Sequence, residues 1–131
     1  MAFRCVIVTP EQQEMDESAT QAILPAHDGQ IGILTNRAPL LVKLGLGPLR
    51  VDLPGGQRRV YLVEGGVAQM KDNRLTVLTN EAVPADKIDA ESARAEYAEA
   101  SARKTTDEKG ARERQRQMDR ARAKQELAAK R

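Results

Sequence analysis

The chain has 131 residues and a formal net charge of +2, a length that suits one ordinary domain or a small domain with an appendage. Aromatic residues make up 2% of the sequence and tryptophan is absent, so a hydrophobic core has to be built mainly from valine, leucine and isoleucine. The one cysteine, Cys5, excludes an intramolecular disulfide. With one histidine, His27, the chain lacks the material for a His-based metal cluster, and a lone general base is the catalytic role still open to it.

No run comes near the roughly 18 apolar residues that would span a bilayer. The N-terminal run MAFRCVIV is too short for a signal peptide. We therefore expect a soluble protein in a reducing compartment, with Cys5 as a reduced and buried thiol.

Short apolar runs rich in valine, isoleucine and leucine extend from residue 3 to residue 79, and turn-forming residues separate them. The runs predict strands at residues 3–9, 19–25, 32–34, 40–46, 49–53, 58–63, 66–71 and 74–79. Glycine, proline, asparagine and aspartate predict turns at residues 28–29, 36–39, 45–48, 54–56, 65–66 and 72–73. Turns spaced by roughly 8 to 12 residues are typical of a β-sandwich or barrel. Because Leu49, Val51 and Leu53 alternate with Arg50 and Asp52, we expect one buried and one solvated face there.

Pro84 ends the strand pattern, and the chain after it consists almost entirely of strong helix formers such as alanine, glutamate, lysine and arginine. Asp86 is placed to cap a first helix, and Thr105 with Glu108 forms a capping box for a second, so the helices should be separated near residues 103–105. The predicted fold is mainly β plus α. A β-sandwich docking domain at residues 1–84 precedes an antiparallel α-helical hairpin at residues 85–131.

The two helices have weak apolar faces made mostly of alanine. The predicted faces are Ile88, Ala95, Ala98 and Ala102 with Tyr97 beside them on the first helix, and Ala111, Met118, Ala121 and Ala128 on the second. Burial of apolar area is worth about 25 cal/mol per Å², and alanine has little of it. We therefore expect the hairpin to dock weakly and to be mobile.

Basic residues are concentrated at the end of the chain, where residues 109–131 carry nine basic and three acidic side chains. The arginines of this basic helix are Arg112, Arg114, Arg116, Arg120 and Arg122. Nucleic-acid phosphates are one class of partner for such a helix. No aromatic residue is interleaved for base stacking, however, and the spacing distributes the arginines around the helix. We therefore favour a solvated or protein-binding helix without nucleic acid.

No group of residues combines a nucleophile with a base and an orienting partner, and no GxxxxGK[ST] phosphate loop occurs. The runs GLGP and EGG favour backbone turns, and His27 beside Asp28 favours a solvated turn. We expect no catalytic residue, no metal and no cofactor.

Three segments follow one another in a characteristic order: FRCVIVTPEQQ at residues 3–13, DGQIGILTNRAPLL at residues 28–41 and YLVEGGVAQMKDNRLTVLTNEA at residues 61–82. Together with the alanine-rich hairpin after them, they resemble the ε subunit of F-type ATP synthases, the bacterial counterpart of the chloroplast ε and mitochondrial δ subunits. The resemblance implies a non-catalytic central-stalk subunit that binds the γ subunit and the membrane c-ring and helps to couple ion translocation to ATP synthesis.

The resemblance also implies a peripheral location on the cytoplasmic face of the inner membrane, within the ATP synthase complex. In many bacteria the hairpin of such a subunit can extend along γ and restrain ATP hydrolysis, and its basic helix would then approach acidic surface on the β subunits. By position, the ring-facing loop corresponds to Asp28, Gly29, Gln30, Ile31 and Gly32, and the γ-facing positions are Thr9, Arg37 and Val42.

This chain departs from the family pattern at three places. Asn36-Arg37 stands where Gly-His is usual, and Gln30 stands where relatives often carry an acid. Some relatives bind ATP through a motif with arginine three residues after aspartate, whereas Arg94 follows Asp89 by five residues. The difference rotates the arginine about 200° around the helix, so we do not expect nucleotide binding.

A competing hypothesis is a free-standing β-sandwich binding module whose arginine-rich tail binds nucleic acid or an acidic protein. The third hypothesis is an enzyme. It ranks last, because no catalytic constellation can be assembled from the residues.

Overall fold

The computed structural model describes residues 2–129. It divides between Pro84 and Ala85 into two compact units, an N-terminal β unit and a C-terminal helical unit. None of the helices within residues 2–129 has both the length and the apolar character needed to cross a membrane.

The β unit contains ten strands among its described residues. In chain order they are β1 (Phe3–Val8), β2 (Gln13–Ala19), β3 (Gln21–Ala26), β4 (Gly29–Leu34), β5 (Leu40–Lys43), β6 (Leu46–Asp52), β7 (Arg58–Glu64), β8 (Val67–Lys71), β9 (Arg74–Leu78) and β10 (Ala82–Pro84). Two five-stranded sheets have the orders β2-β1-β9-β8-β5 and β10-β7-β6-β3-β4. Neighbouring strands are antiparallel except β1 and β9, which are parallel.

Side chains from both sheets belong to one buried cluster, so the predicted β-sandwich is confirmed. Its fully buried members include Cys5, Ile7, Leu24, Ile33, Leu49, Val51, Leu75 and Val77. The predicted alternation in β6 is also present, because Leu49 and Val51 are buried while Arg50 and Asp52 are half-buried. The core is mainly aliphatic, as the composition requires, and Phe3 and Tyr61 are aromatic residues within it.

Cys5 is fully buried in this core. Burial, together with the charges of Glu17 and Asp16, raises the pKa of the Cys5 thiol to about 12. The thiol therefore stays protonated at neutral pH, as expected for a structural cysteine.

Two edge strands were not predicted from the apolar runs. β2 has the polar sequence QEMDESA, in which only Met15 and Ala19 are buried. β10 has three residues and pairs with β7 alone. Strands at the edge of a sheet need few apolar residues, so a search for apolar runs does not find them.

The predicted turn at residues 45–48 is wrong, because Gly47 and Pro48 lie within strand β6. Strand β6 pairs with β3 only from Arg50 to Asp52. Pro48 lies outside this paired segment, so its missing N–H removes no hydrogen bond to β3. A Cβ atom on Gly47 would stand 3.0 Å from Cβ of Pro25. Glycine therefore allows the close approach of β3 at this position and does not form a turn.

The helical unit contains a 3₁₀ turn (Ala85–Lys87) followed by α1 (Ala90–Ala102) and α2 (Glu108–Ala129), so the predicted two-helix fold is confirmed. The predicted caps are both wrong. Asp89, and not Asp86, caps α1 and accepts a hydrogen bond from the backbone of Glu91, because the 3₁₀ turn delays the start of the helix. The residue before α2 is Asp107, whose carboxylate accepts from the Gly110 N–H at 2.7 Å, so Thr105 does not cap it.

The predicted apolar face of the first helix is right at Ile88, which is buried just before α1, but wrong at its alanines. Ala95, Ala98 and Ala102 are exposed, whereas Ala93 and Ala100 are buried with Tyr97 half-buried between them. The buried positions are spaced four and three residues apart, which is the repeat of one helix face. On α2, Ala121 is buried, Met118 and Ala128 are half-buried, and Ala111 is exposed.

Gly66 should be the glycine that tolerates substitution least. Its φ is +109°, and a Cβ atom would stand 2.1 Å from the carbonyl oxygen of Leu78. We expect Gly66→Ala to lower the free energy of unfolding by about 3 kcal/mol or more. Gly55→Ala is the control, since Gly55 has a φ of +89° but open space around it, and should cost only about 1–2 kcal/mol. Equal losses in urea denaturation would contradict the packing argument.

Asp52 should contribute to acid sensitivity. Hydrogen bonds from Arg50, and then from Arg58, lower the pKa of Asp52 against the opposing effect of partial burial. Because the folded-state pKa is the lower one, the stabilisation is present above the unfolded-state value of about 3.9 and is lost as the pH falls through the folded-state value. Urea denaturation between about pH 5 and pH 2 should therefore show a shallower pH dependence for Asp52→Asn than for wild type. The double variant Arg50→Gln/Arg58→Gln should be shallower too, and an unchanged slope in both would refute the assignment.

Candidate docking surfaces

The predicted ring-facing loop is the tip of the β3–β4 hairpin. β3 ends at Ala26 and β4 begins at Gly29, so only His27 and Asp28 form the connecting turn, and both are exposed. The other predicted loop residues, Gly29, Gln30, Ile31 and Gly32, belong to β4. This strand begins at residue 29, three residues before the strand predicted at residues 32–34. The expected loop is therefore mostly hydrogen-bonded strand, with Ala26 paired to Gly29.

Side chains at this tip point alternately outward and inward. Gln30 and Gly32 are exposed, whereas Ile31 is partly buried and packs against the core. Of these residues, Gln30 thus presents a polar side chain to a partner, and Gly32 leaves the backbone beside it uncovered.

Strand β5 lies next to the hairpin tip, and the His27 N–H donates a hydrogen bond to the Lys43 carbonyl at 2.9 Å. Residues 26–31 and 41–43 line a shallow groove of about 460 Å³ between them. Leu41 is 70% exposed, while Val42 is half-buried and packs against the core. The structure therefore places Val42, predicted to face γ, beside the predicted ring-facing residues. The apolar side chain that is exposed to solvent here is that of its neighbour Leu41.

Thr9 follows the end of β1 and is only 8% exposed. Its hydroxyl donates to the Gln12 carbonyl at 3.1 Å and accepts from the Gln12 N–H at 3.3 Å. The side chain is thus used to hold the β1–β2 connection.

Arg37 lies in the β4–β5 connection and is exposed. Its N–H donates to the Leu34 carbonyl at 3.3 Å, which closes a four-residue turn. Among residues 2–129, the Arg37 guanidinium has neither an ion pair nor a hydrogen bond. The cation is therefore available to an external group.

The two ends of the β unit carry different candidate residues. β4 begins at the hairpin tip and ends at Leu34, about 17 Å away at roughly 3.3 Å per residue, and the Arg37 turn follows. Lys43, Val67, Leu78 and Val8 form one row across four neighbouring strands, since each is paired with the next. Thr9, next to Val8, is therefore at the tip end. The three predicted γ-facing residues do not form one cluster, since Arg37 lies at the opposite end.

Two arginines of the basic helix contact α1. Arg114 donates to the Ser101 carbonyl at 2.9 Å. Arg122 donates to the Tyr97 hydroxyl at 3.0 Å, and its guanidinium lies 5.5 Å from the centre of the Tyr97 ring. These arginines connect the two helices, which the sequence alone did not indicate.

The other three arginines have different surroundings. Arg120 is half-buried and lines a cavity of about 590 Å³ with Glu96, Glu99, Arg103 and Gln117, among others. Arg116 pairs with Glu113 of its own helix at 3.1 Å, and Arg112 is exposed. The outward part of the basic helix is therefore carried by Arg112 and Arg116.

The residues of the altered nucleotide motif are engaged in helix α1. Asp89 caps the helix and also accepts from the Ser92 hydroxyl at 2.9 Å, while Arg94 pairs with Glu91 at 3.1 Å. Residues 2–129 contain no group of three or more His, Cys, Asp or Glu side chains that could hold a metal ion.

Exposed apolar residues were missed by the sequence reasoning. Leu41, Val67 and Leu78 occupy outward positions of β5, β8 and β9, with Val67 directly opposite Leu78. The strand alternation of β5 was the available signal, because it places Leu41 on the face opposite to Leu40 and Val42.

Comparison with known sequences identifies the family. The family described as "ATP synthase, Delta/Epsilon chain, beta-sandwich domain" matches residues 2–85. The ATP synthase epsilon chain of Rhodopirellula baltica is 44% identical over 100 residues, which cover 76% of this chain and 77% of that protein. The epsilon chain of Microcystis aeruginosa is 41% identical over 103 residues, or 79% and 74% of the two chains.

Solved structures show the same fold. A chain in the cryo-EM structure of Euglena gracilis mitochondrial ATP synthase (OSCP/F1/c-ring) matches with a TM-score of 0.85 and 22% identity, over 93% of this chain and 78% of that one. A chain in the central stalk/c-ring structure from Tetrahymena thermophila matches with a TM-score of 0.73 and 12% identity, over 95% of both chains. Fold and sequence agree, and the chain belongs to the delta/epsilon family of ATP synthase subunits.

Proposed function

We propose that this chain is the non-catalytic central-stalk subunit of an F-type ATP synthase, which joins a γ subunit to the c-ring and helps to couple ion translocation to ATP synthesis. Its membership in the delta/epsilon family supports this function. The observation that carries the proposal is the presence of two separate candidate surfaces on one β unit. The hairpin tip lies at one end, the Arg37 turn lies at the other, and β4 runs between them.

The hairpin-tip end is the proposed contact with the c-ring. Gln30 offers neutral hydrogen-bonding groups, and Leu41 adds apolar area beside the groove. Gln30 has no charge, so its part of the contact depends on hydrogen bonds and packing, while Asp28 and Lys43 supply the charges beside the groove.

The Arg37 end is the proposed contact with γ. A guanidinium without an internal partner suits a carboxylate on another subunit, since arginine forms two parallel hydrogen bonds with that group. Thr9 and Val42 remain predictions. Their side chains are used inside the β unit, so contact with γ would involve their backbone.

Within the complex, the chain would be a peripheral membrane component on the cytoplasmic side. The helical unit is the proposed regulatory element that restrains ATP hydrolysis. Arg112 and Arg116 are exposed on α2 and supply the charge that would meet acidic surface on the β subunits.

The two-ended arrangement predicts that γ binding and ring binding can be separated. Arg37→Glu should weaken binding to the cognate γ subunit by about tenfold, equivalent to about 1.4 kcal/mol, and leave binding to the isolated c-ring unchanged. Lys43→Glu makes the same charge change at the hairpin-tip end. It should weaken binding to the isolated c-ring by about tenfold and leave binding to the γ subunit unchanged. Both would be measured by surface plasmon resonance. A wild-type chain that binds neither partner would refute the proposed function.

The regulatory proposal predicts that the helical unit restrains hydrolysis. Removal of residues 87–131 should leave the complex assembled, because the buried core cluster lies within residues 3–82, and should increase ATP hydrolysis several-fold. Arg112→Glu/Arg116→Glu should also increase hydrolysis while the hairpin stays folded by circular dichroism. Unchanged hydrolysis in both variants would remove the regulatory proposal alone.

A further inference from the structure

The turn that carries Arg37 requires an unusual backbone conformation. Its hydrogen bond joins the Arg37 N–H to the Leu34 carbonyl, and its third residue, Asn36, has a φ of +64°. A positive φ at the third position is the mark of a type II turn, where glycine is usual and asparagine is tolerated. Asn36 can therefore take the backbone conformation of the glycine that is usual in the family.

Residue 36 makes two hydrogen bonds with Asn73, one from its backbone N–H and one accepted by its side chain, and only the second is beyond glycine. The Asn36 N–H donates to Oδ1 of Asn73 at 2.7 Å, and Nδ2 of Asn73 donates to Oδ1 of Asn36 at 2.9 Å. We call this pair of hydrogen bonds the Asn36–Asn73 clamp. It joins two segments that are 37 residues apart in the chain.

Asn73 is itself held firmly. It lies with Asp72 in the two-residue turn between β8 and β9, where both residues have positive φ, as a type I′ hairpin requires. Its carbonyl accepts a hydrogen bond from the Arg4 N–H at 2.9 Å. The clamp therefore ties the β4–β5 connection to strands β1, β8 and β9, which share a sheet with β5 and not with β4.

Arg37 is restrained on both sides along the chain. The clamped Asn36 precedes it, and Ala38-Pro39 follows, where proline fixes its own φ and restricts the residue before it. A side chain on a fixed backbone loses less conformational freedom when it binds than one on a mobile loop.

We propose that Asn36 and Asn73 are positioning residues, which hold the Leu34–Arg37 turn so that the Arg37 guanidinium meets a carboxylate on the γ subunit. The identity of the partner rests on the proposed function. The clamp acts through Arg37, so its effect on binding exists only while the guanidinium is present.

A double-mutant cycle tests this coupling. Asn36→Gly keeps the positive φ and removes the amide acceptor, and it should weaken γ binding by about tenfold. In an Arg37→Ala background the same change should weaken binding by less than about twofold. Equal effects in both backgrounds would overturn the positioning role. Surface plasmon resonance gives the four affinities.

Aspartate variants separate the hydrogen bonds from the shape of the side chain. In Asn36→Asp, the new carboxylate still accepts a hydrogen bond from Nδ2 of Asn73. In Asn73→Asp, the new carboxylate still accepts from the backbone N–H of Asn36 and, after rotation of the Asn36 amide, from Nδ2 of Asn36. Each single variant should bind γ within about twofold of wild type. Asn36→Asp/Asn73→Asp places two carboxylates together without a donor between their side chains, and it should lose about tenfold. Wild-type affinity of the double variant would also overturn the proposal.

Amide hydrogen exchange tests the clamp without a partner. The N–H groups of residues 36 and 37 should exchange faster in Asn36→Gly, because the remaining backbone bond to Asn73 loses the support of the side-chain bond, and also in the double aspartate variant, while those of β1 remain protected. Unchanged exchange would refute the clamp itself. If exchange changes as expected but the wild-type chain does not bind γ, the failure belongs to the proposed function and overturns the partner assigned to Arg37.

Discussion

The parallel pairing of β1 with β9 is the constraint on which the rest of the β unit depends. It places the first strand between β2 and β9, inside a sheet, where Phe3, Cys5 and Ile7 are at most 2% exposed. Parallel neighbours need a crossover connection, and here the chain between them contains β3, β4, β6 and β7 of the other sheet. The pairing therefore joins the beginning and end of a segment that builds both layers, and the two layers bury their aliphatic faces against each other.

The same strand defines the two ends of the unit. Arg4, at the start of β1, bonds to the turn that holds Asn36, whereas Val8, at its end, lies in the row that leads to Lys43 and the hairpin tip. Closely packed side chains connect these ends, and packed interiors have low compressibility. The proposed function, which connects a ring to a stalk, needs this property, because a load at one surface has to reach the other.

The helical unit is held together by a different kind of contact. Its buried residues on the two α-helices are Ala93, Ala100 and Ala121, which have little apolar area. The helices are joined by side chains with polar ends, such as Arg122 with Tyr97 and Lys124 with Glu96 at 3.2 Å. Exposed ion pairs contribute little free energy and are screened by salt, so the closed hairpin is held less firmly than the β core.

The sequence by itself determined the β-sandwich, the helical hairpin, the buried Cys5 and the alternation in β6, because these follow from the period of apolar residues and the positions of turn formers. It missed the polar strand β2 and misread Gly47 and Pro48 as a turn, because edge pairing and close approach depend on neighbours distant in sequence. For the same reason, only the tertiary structure decided that Thr9 and Arg37 lie at opposite ends and that Asn36 meets Asn73. Local pattern specifies which face of an element is buried, whereas the partner of a side chain is set by how the elements pack.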